Sequence, residues 1–230
     1  MSTDFKPTAR SRVKRRHNRA HYDRATIYSI IDAAILAHVG YVIDGQPFVT
    51  PTNIWRDGDR VLWHGSMASR MLKTVREGVP VCVTVTHFDG LVMARPAFHH
   101  SVNYRSAMLF GRAEMVTDKA EKTRAMEAFV ERVAPGRWAT LRPMTAQELK
   151  ATMVVAMPID EAAAKIRTGP PIDAEADYAL PVWAGVVPLR LTAGRPLADP
   201  RLAPGTPVPA NLARYDIEAY GRGDRVAAAE

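Results

Sequence analysis

Three Asp-Gly pairs, at 44–45, 57–58 and 89–90, divide residues 38–94 into short runs rich in β-branched and aromatic side chains. Asp-Gly readily adopts the positive φ angles of a tight hairpin turn, and short β runs joined by such turns form an antiparallel meander. The runs are 38–43, 47–55, 61–64, 81–88 and 91–94, with further β-like stretches at 107–116 and 153–159. Pro51 interrupts the second run, marking an edge or a bulge with backbone groups free to face a ligand. A meander of this length loses its exposed edges by curling into a barrel.

Helical periodicity is confined to the margins of this sheet. Residues 25–36 repeat apolar side chains every three or four positions behind Asp23, a candidate N-cap. Residues 66–78 read as a short helix with hydroxyls at its start and Gly78 at its close. Asp118 with Glu121 resembles a capping box for a helix over 120–133, and Thr145 with Glu148 repeats the signal. From Pro170 onward lie nine of the 17 prolines, so this part reads as extended and irregular. Within it, 181–189 has strand character and is expected to cross to a partner subunit.

The net charge of +7 is concentrated in residues 1–24, which hold eight Lys and Arg against two Asp, leaving +1 for the remainder. That placement argues against a basic nucleic-acid-binding domain and predicts a solvated or partner-wrapping arm. No apolar run approaches a membrane span and the N-terminus lacks a signal-peptide core, so a cytoplasmic protein is expected. Cys82, the single cysteine, excludes an intramolecular disulfide and reads as a buried strand position.

The chemistry concentrates between residues 49 and 73. Ser66, Ser69 and Arg70 stand where a strand gives way to a helix start, which offers backbone N–H groups, hydroxyls and a guanidinium to a phosphate. The alternative is that the serines only cap the helix and Arg70 is a solvated charge. His99-His100 invites a metal reading, but adjacent strand residues face opposite ways and no spaced ligand set surrounds them. No metal site is expected. The segment 165–171 places basic residues beside a Pro-rich turn, which shapes a pocket or a dimer contact, or is an ordinary turn.

The run Val61-Leu62-Trp63-His64-Gly65-Ser66-Met67-Ala68-Ser69-Arg70 resembles the FMN-phosphate segment of the split β-barrels related to pyridoxamine-5′-phosphate oxidase. Ser69 and Arg70 match that family's Ser-Arg pair, and His64 and Gly65 its two ligand-contacting residues at the strand end. Val49, Thr50, Pro51 and Thr52 match the strand that lays its backbone along the flavin ring. Asn103-Tyr104-Arg105-Ser106 resembles the strand bearing the family's Arg-Gln pair, with Ser106 in place of Gln. Val182-Trp183-Ala184-Gly185 resembles its C-terminal Trp-Gly-Gly segment, which packs on FMN in trans. The branch most resembled is the nitroimidazole-reductase-like group. Where the true oxidase has lysines for its substrate phosphate, this chain has Ile54 and Met71, so that reaction is not implied.

The resemblance implies one α+β, mainly β, domain over residues 25–192. It is an antiparallel FMN-binding split β-barrel of about six strands with peripheral helices, between a basic arm (1–24) and a Pro-rich tail (193–230). Also implied are FMN as cofactor, a homodimer, and a flavin-dependent reductase of a small electrophile such as a nitroaromatic or quinone, with NAD(P)H as a possible donor. His64 is the candidate proton donor, since its reference pKa is near neutrality. Three rivals stay open: a protein that binds or senses flavin without turnover, a haem-binding split barrel with a histidine axial ligand, and a deazaflavin protein.

Overall fold

The computed structural model describes residues 4–215 and 217, so the head of the basic arm and the end of the tail lie outside the described residues. In chain order the strands are β1 (Ala20–His21), β2 (Ala37–Ile43), β3 (Gln46–Thr52), β4 (Trp55–Asp57), β5 (Arg60–Ser66), β6 (Pro80–Met93), β7 (Ser101–Arg112), β8 (Glu114–Met115), β9 (Thr152–Pro158), β10 (Glu161–Arg167) and β11 (Gly185–Pro188). The helices are α1 (Arg24–Asp32), α2 (Arg70–Val75), α3 (Lys119–Val133), α4 (Ala146–Ala151) and the short α5 (Ala210–Ala213). All strand pairs are antiparallel. One sheet of seven strands runs β1-β10-β7-β6-β2-β3 with β11 added to β6, and a four-stranded sheet runs β4-β5-β9-β8. Neither sheet closes on itself, the split-barrel arrangement. Among the described residues no helix is long and apolar enough to cross a membrane.

The local signals act where expected. Asp44 and Gly45 take φ angles of 50° and 78° and join Ile43 to Gln46 in register. Gly58, at φ 59°, turns β4 into β5. Asp23 caps α1 by accepting from the Thr26 N–H at 2.7 Å, and Thr145 with Glu148 forms a complete capping box on α4. Asp118 caps α3 alone, because the Glu121 carboxylate pairs with Arg60 at 2.8 Å instead. Helix α1 ends at Asp32, where Arg132 donates to the carbonyls of Ile31, Asp32 and Ala34.

Asp89-Gly90 is not a turn. Strand β6 runs through it with a bulge between Phe88 and Gly90, because Asp89 is held across the ladder by Arg105 at 2.9 and 3.0 Å. Past the bulge β6 pairs with β11 of its own chain, from Gly185↔Met93 to Pro188↔Gly90. A Cβ on Gly90 would lie 2.9 Å from the Val187 carbonyl oxygen and 3.1 Å from Val186 Cγ1. Gly90→Ala is therefore expected to loosen β11 by about 1–2 kcal/mol, seen as roughly 5- to 30-fold faster amide exchange there than in β7.

The main core lies between the two sheets under α1 and includes Ile27, Ile30, Ile31, Trp63, Leu72, Val83, Leu109 and Val155. A smaller cluster under α3 holds Trp55, Leu62, Val154 and Ala156, against which Phe129 packs. Strand β9 serves both, since alternate side chains point to opposite faces: Met153, Val155 and Met157 enter the first cluster, Val154 and Ala156 the second.

The basic arm is part of this fold rather than a solvated leader. Phe5 is 3% exposed within the main core, its N–H donates to the Tyr22 carbonyl, and the Arg24 guanidinium lies 4.3 Å from its ring centre. Thr8 and Arg10 both bond Glu161 on β10. Cys82 is also placed differently from expectation. It is half-exposed, because it alternates with the buried Val81 and Val83 along β6.

Candidate functional site

Strand β3 is the edge of the seven-stranded sheet, and beyond it the described residues place no further strand. Val49, Thr50, Pro51 and Thr52 occupy its second half, with Val49 66% exposed and Thr50 within 3.1 Å of the Tyr41 hydroxyl. One side of this backbone pairs with β2; the other is free, as Pro51 suggested.

Helix α2 comes up against this strand. Ser66 ends β5, its Oγ accepts from the Ala68 N–H at 3.1 Å, and the Ser69 Oγ caps α2 by accepting from Leu72 N–H. Both serines are thus capping residues in the structure, while Arg70 has no carboxylate partner among the described residues and lies 4.5 Å above the Phe48 ring of β3. The structure therefore brings together Ser66, Ser69, Arg70 and the edge strand, with Gly65 against Leu72.

His64 points elsewhere. Its ring lies 4.6 Å from Phe129 and 5.7 Å from Trp55, in the cluster under α3, while its neighbour Trp63 enters the main core. Its Nδ1 is buried without a hydrogen-bond partner, and burial lowers its pKa from 6.5. The unfolded chain then binds a proton more readily than the folded one, so stability falls as pH drops below about 6.5. Urea titrations at pH 5–7 should show this slope in the wild type and a smaller one in His64→Phe.

Arg105 and Ser106 lie on β7, three strands in from β3, or about 14 Å at the usual spacing. They face opposite ways: Arg105 pairs with Asp89, and the Ser106 hydroxyl donates to the Lys165 carbonyl at 3.2 Å. Trp183 is 67% exposed, held beside the end of β6 by β11, its indole folded over Gly185 where a Cβ would come within 3.0 Å. These three are not assembled with Arg70 in a single chain.

Two features went unread in the sequence. Between the arm and the β7–β10 face lies a cavity of about 300 Å³ lined by Arg12, Lys14, Arg15 and Lys165 with Ser106 and Phe110. The basic residues were visible, but not that the arm folds back. The second is a cluster of Arg95, His99 and Asp173 at the far end of β6. Among the described residues no group of three or more His, Cys, Asp or Glu is arranged to hold a metal ion.

A family model described as pyridoxamine 5′-phosphate oxidase matches residues 23–166. The chain belongs to this family. A flavocytochrome, Anf3, from Azotobacter vinelandii is similar at 48% identity and TM-score 0.86, over 90% of this chain and 97% of that one. A FAD- and haem-binding protein from Mycobacterium smegmatis is similar at 40% identity and TM-score 0.81, over 84% of this chain and 95% of that one. A putative 5-nitroimidazole antibiotic resistance protein from Bacteroides thetaiotaomicron shares the fold at 24% identity and TM-score 0.54, over 64% of this chain and 86% of that one. No curated protein matches.

Proposed function

We propose that the chain is a flavin-binding oxidoreductase that also carries haem. The observation that carries the flavin reading is Arg70, a guanidinium with no carboxylate partner among the described residues, poised beside the open edge of β3. A phosphate takes such a fork in charge-assisted bonds, and the unpaired backbone of Val49, Thr50, Pro51 and Thr52 can meet a ring laid along the edge. FMN and FAD share the anchored phosphate and ring, so this site accepts either. The similarity to the flavocytochrome and to the FAD- and haem-binding protein favours FAD and adds the haem.

Bound flavin would supply two-electron chemistry and haem one-electron chemistry. The protein's part is to anchor the phosphate at Arg70, hold the ring against β3 and keep the groups apart from bulk water. A homodimer completes the arrangement, since Arg105, Ser106 and Trp183 of a second copy are the residues one chain leaves unassembled. A small electrophile is the proposed electron acceptor, with NAD(P)H as a donor, in a cytoplasmic setting suited to the free Cys82.

Absorbance of the purified protein, with mass spectrometry of the released cofactors, tests this reading. Flavin bands together with a Soret band are expected. Flavin alone would remove the haem half of the proposal, and absence of both after incubation with FAD, FMN and haemin would overturn it.

A further inference from the structure

His99 closes the short turn Ala97–His99 between β6 and β7. Behind it stands Asp173, from the Pro-rich segment after β10, its side chain fully buried. The backbone N–H and Nη1 of Arg95 both donate to Asp173 Oδ2, at 3.2 and 3.0 Å. Oδ1 is left without a hydrogen bond and lies 3.5 Å from His99 Nδ1. That Nδ1 is itself buried while the side chain is 30% exposed, so the exposed edge of the ring is the one that carries Nε2. Around it are apolar side chains without cover: Phe98, 91% exposed with its ring 5.5 Å from that of His99; Ile172, 78% exposed; and Tyr178, which lies over Arg95.

A histidine with one nitrogen turned to a buried carboxylate and the other facing an apolar surface is suited to ligating iron. Closing that 3.5 Å gap to a hydrogen bond would let the carboxylate fix the ring's tautomer and orientation and make the free nitrogen a stronger donor. Haem supplies four of the iron's ligands itself, so one such histidine suffices where the described residues hold no three-residue metal cluster. Three other histidines fit less well: His87 bonds the Ile30 carbonyl at 2.9 Å, His64 has among the described residues no carboxylate beside its buried Nδ1, and the exposed His100 has only a backbone carbonyl, that of Pro96, at 3.2 Å.

We propose that His99 is an axial ligand of the haem iron, oriented by Asp173, with the porphyrin covering Phe98, Ile172 and Tyr178. The proposal rests on the haem reading above.

The test uses the full-length protein loaded with haemin, with haem content, absorption and resonance Raman spectra as readouts. His99→Gly should lose haem or shift its Soret band, and added imidazole should restore the wild-type spectrum by filling the vacated position. His100→Gly should leave the spectrum as it is. Asp173→Asn removes the negative charge behind the ring. It should lower haem affinity roughly 10- to 100-fold and weaken the iron–histidine stretch while flavin stays bound. Wild-type protein that takes up flavin but no haem overturns the haem reading and this ligand with it. Haem binding with an unchanged spectrum in His99→Gly overturns the ligand assignment alone. Should His99→Gly fail to fold, an unchanged iron–histidine stretch in Asp173→Asn does the same.

Discussion

Replacing Arg70 by alanine is expected to weaken flavin binding by about 1.5–3 kcal/mol, or roughly 10- to 150-fold in Kd. Ser66 and Ser69 are already engaged as local caps, so the guanidinium carries most of the attraction for a phosphate at this site. Arg70→Lys keeps the charge but loses the planar fork, and is expected to fall between wild type and alanine. The stacking of Arg70 on Phe48 adds a smaller stability effect of about 0.5–1 kcal/mol. Fluorescence titration of apo-protein with FMN and FAD, alongside a urea melt of each variant, separates the two effects. Unchanged flavin affinity in the alanine variant would move the phosphate away from α2.

The second large effect is expected at Arg167. It is 7% exposed, and its guanidinium bonds the Asn103 side-chain oxygen and the carbonyls of Gly169 and Pro170, the latter two at 3.3 and 3.2 Å. Asn103 in turn donates to the Gly169 carbonyl at 3.1 Å, so one buried cation ties β7 to the turn after β10. Burial, then repulsion from Arg19, pushes its pKa below the usual arginine value, a sign that its partners only partly repay desolvation. Arg167→Ala removes the donor from three acceptors and leaves a void, at a cost of about 3 kcal/mol and roughly 6–12 °C in Tm. Arg167→Met, which refills the volume without a charge, should lose less. Calorimetry of both variants checks this. A loss under about 1 kcal/mol in the alanine variant would show the turn held by other contacts.

What the sequence disclosed follows from the range of each interaction. Asp23, Thr145 and the turns at 44–45 and 57–58 depend on residues within four positions, and all were readable. Asp89-Gly90 carries the same turn signal, yet its conformation is decided by Arg105 and by β11, far along the chain. The basic arm was misplaced for a similar reason: Phe5 and Tyr22, 17 positions apart among charges, give no periodic signal, and Glu161 is the arm's distant partner. For His64 a signal existed. Strand alternation sets it opposite Trp63, and a large apolar neighbour at 63 already points the histidine away from the main core. The pair of Arg95 and Asp173, 78 residues apart, leaves no trace in the sequence pattern. The placement of Arg70 at the start of α2, beside β3, was legible because strand, hydroxyls and helix start are contiguous.

Because Phe5 belongs to the main core, the arm's cations and the protein's cooperativity cannot be separated. Trimming the first two dozen residues as a dispensable leader would take Phe5 out of the main core and strip β10 of β1 and of the bonds to Glu161. Conversely, an anion bound among Arg12, Lys14 and Arg15 would fasten the arm, and Phe5 with it. Occupancy of that surface cavity would therefore register as melting temperature, rising with ligand concentration in the logarithmic way that preferential binding to the folded state requires.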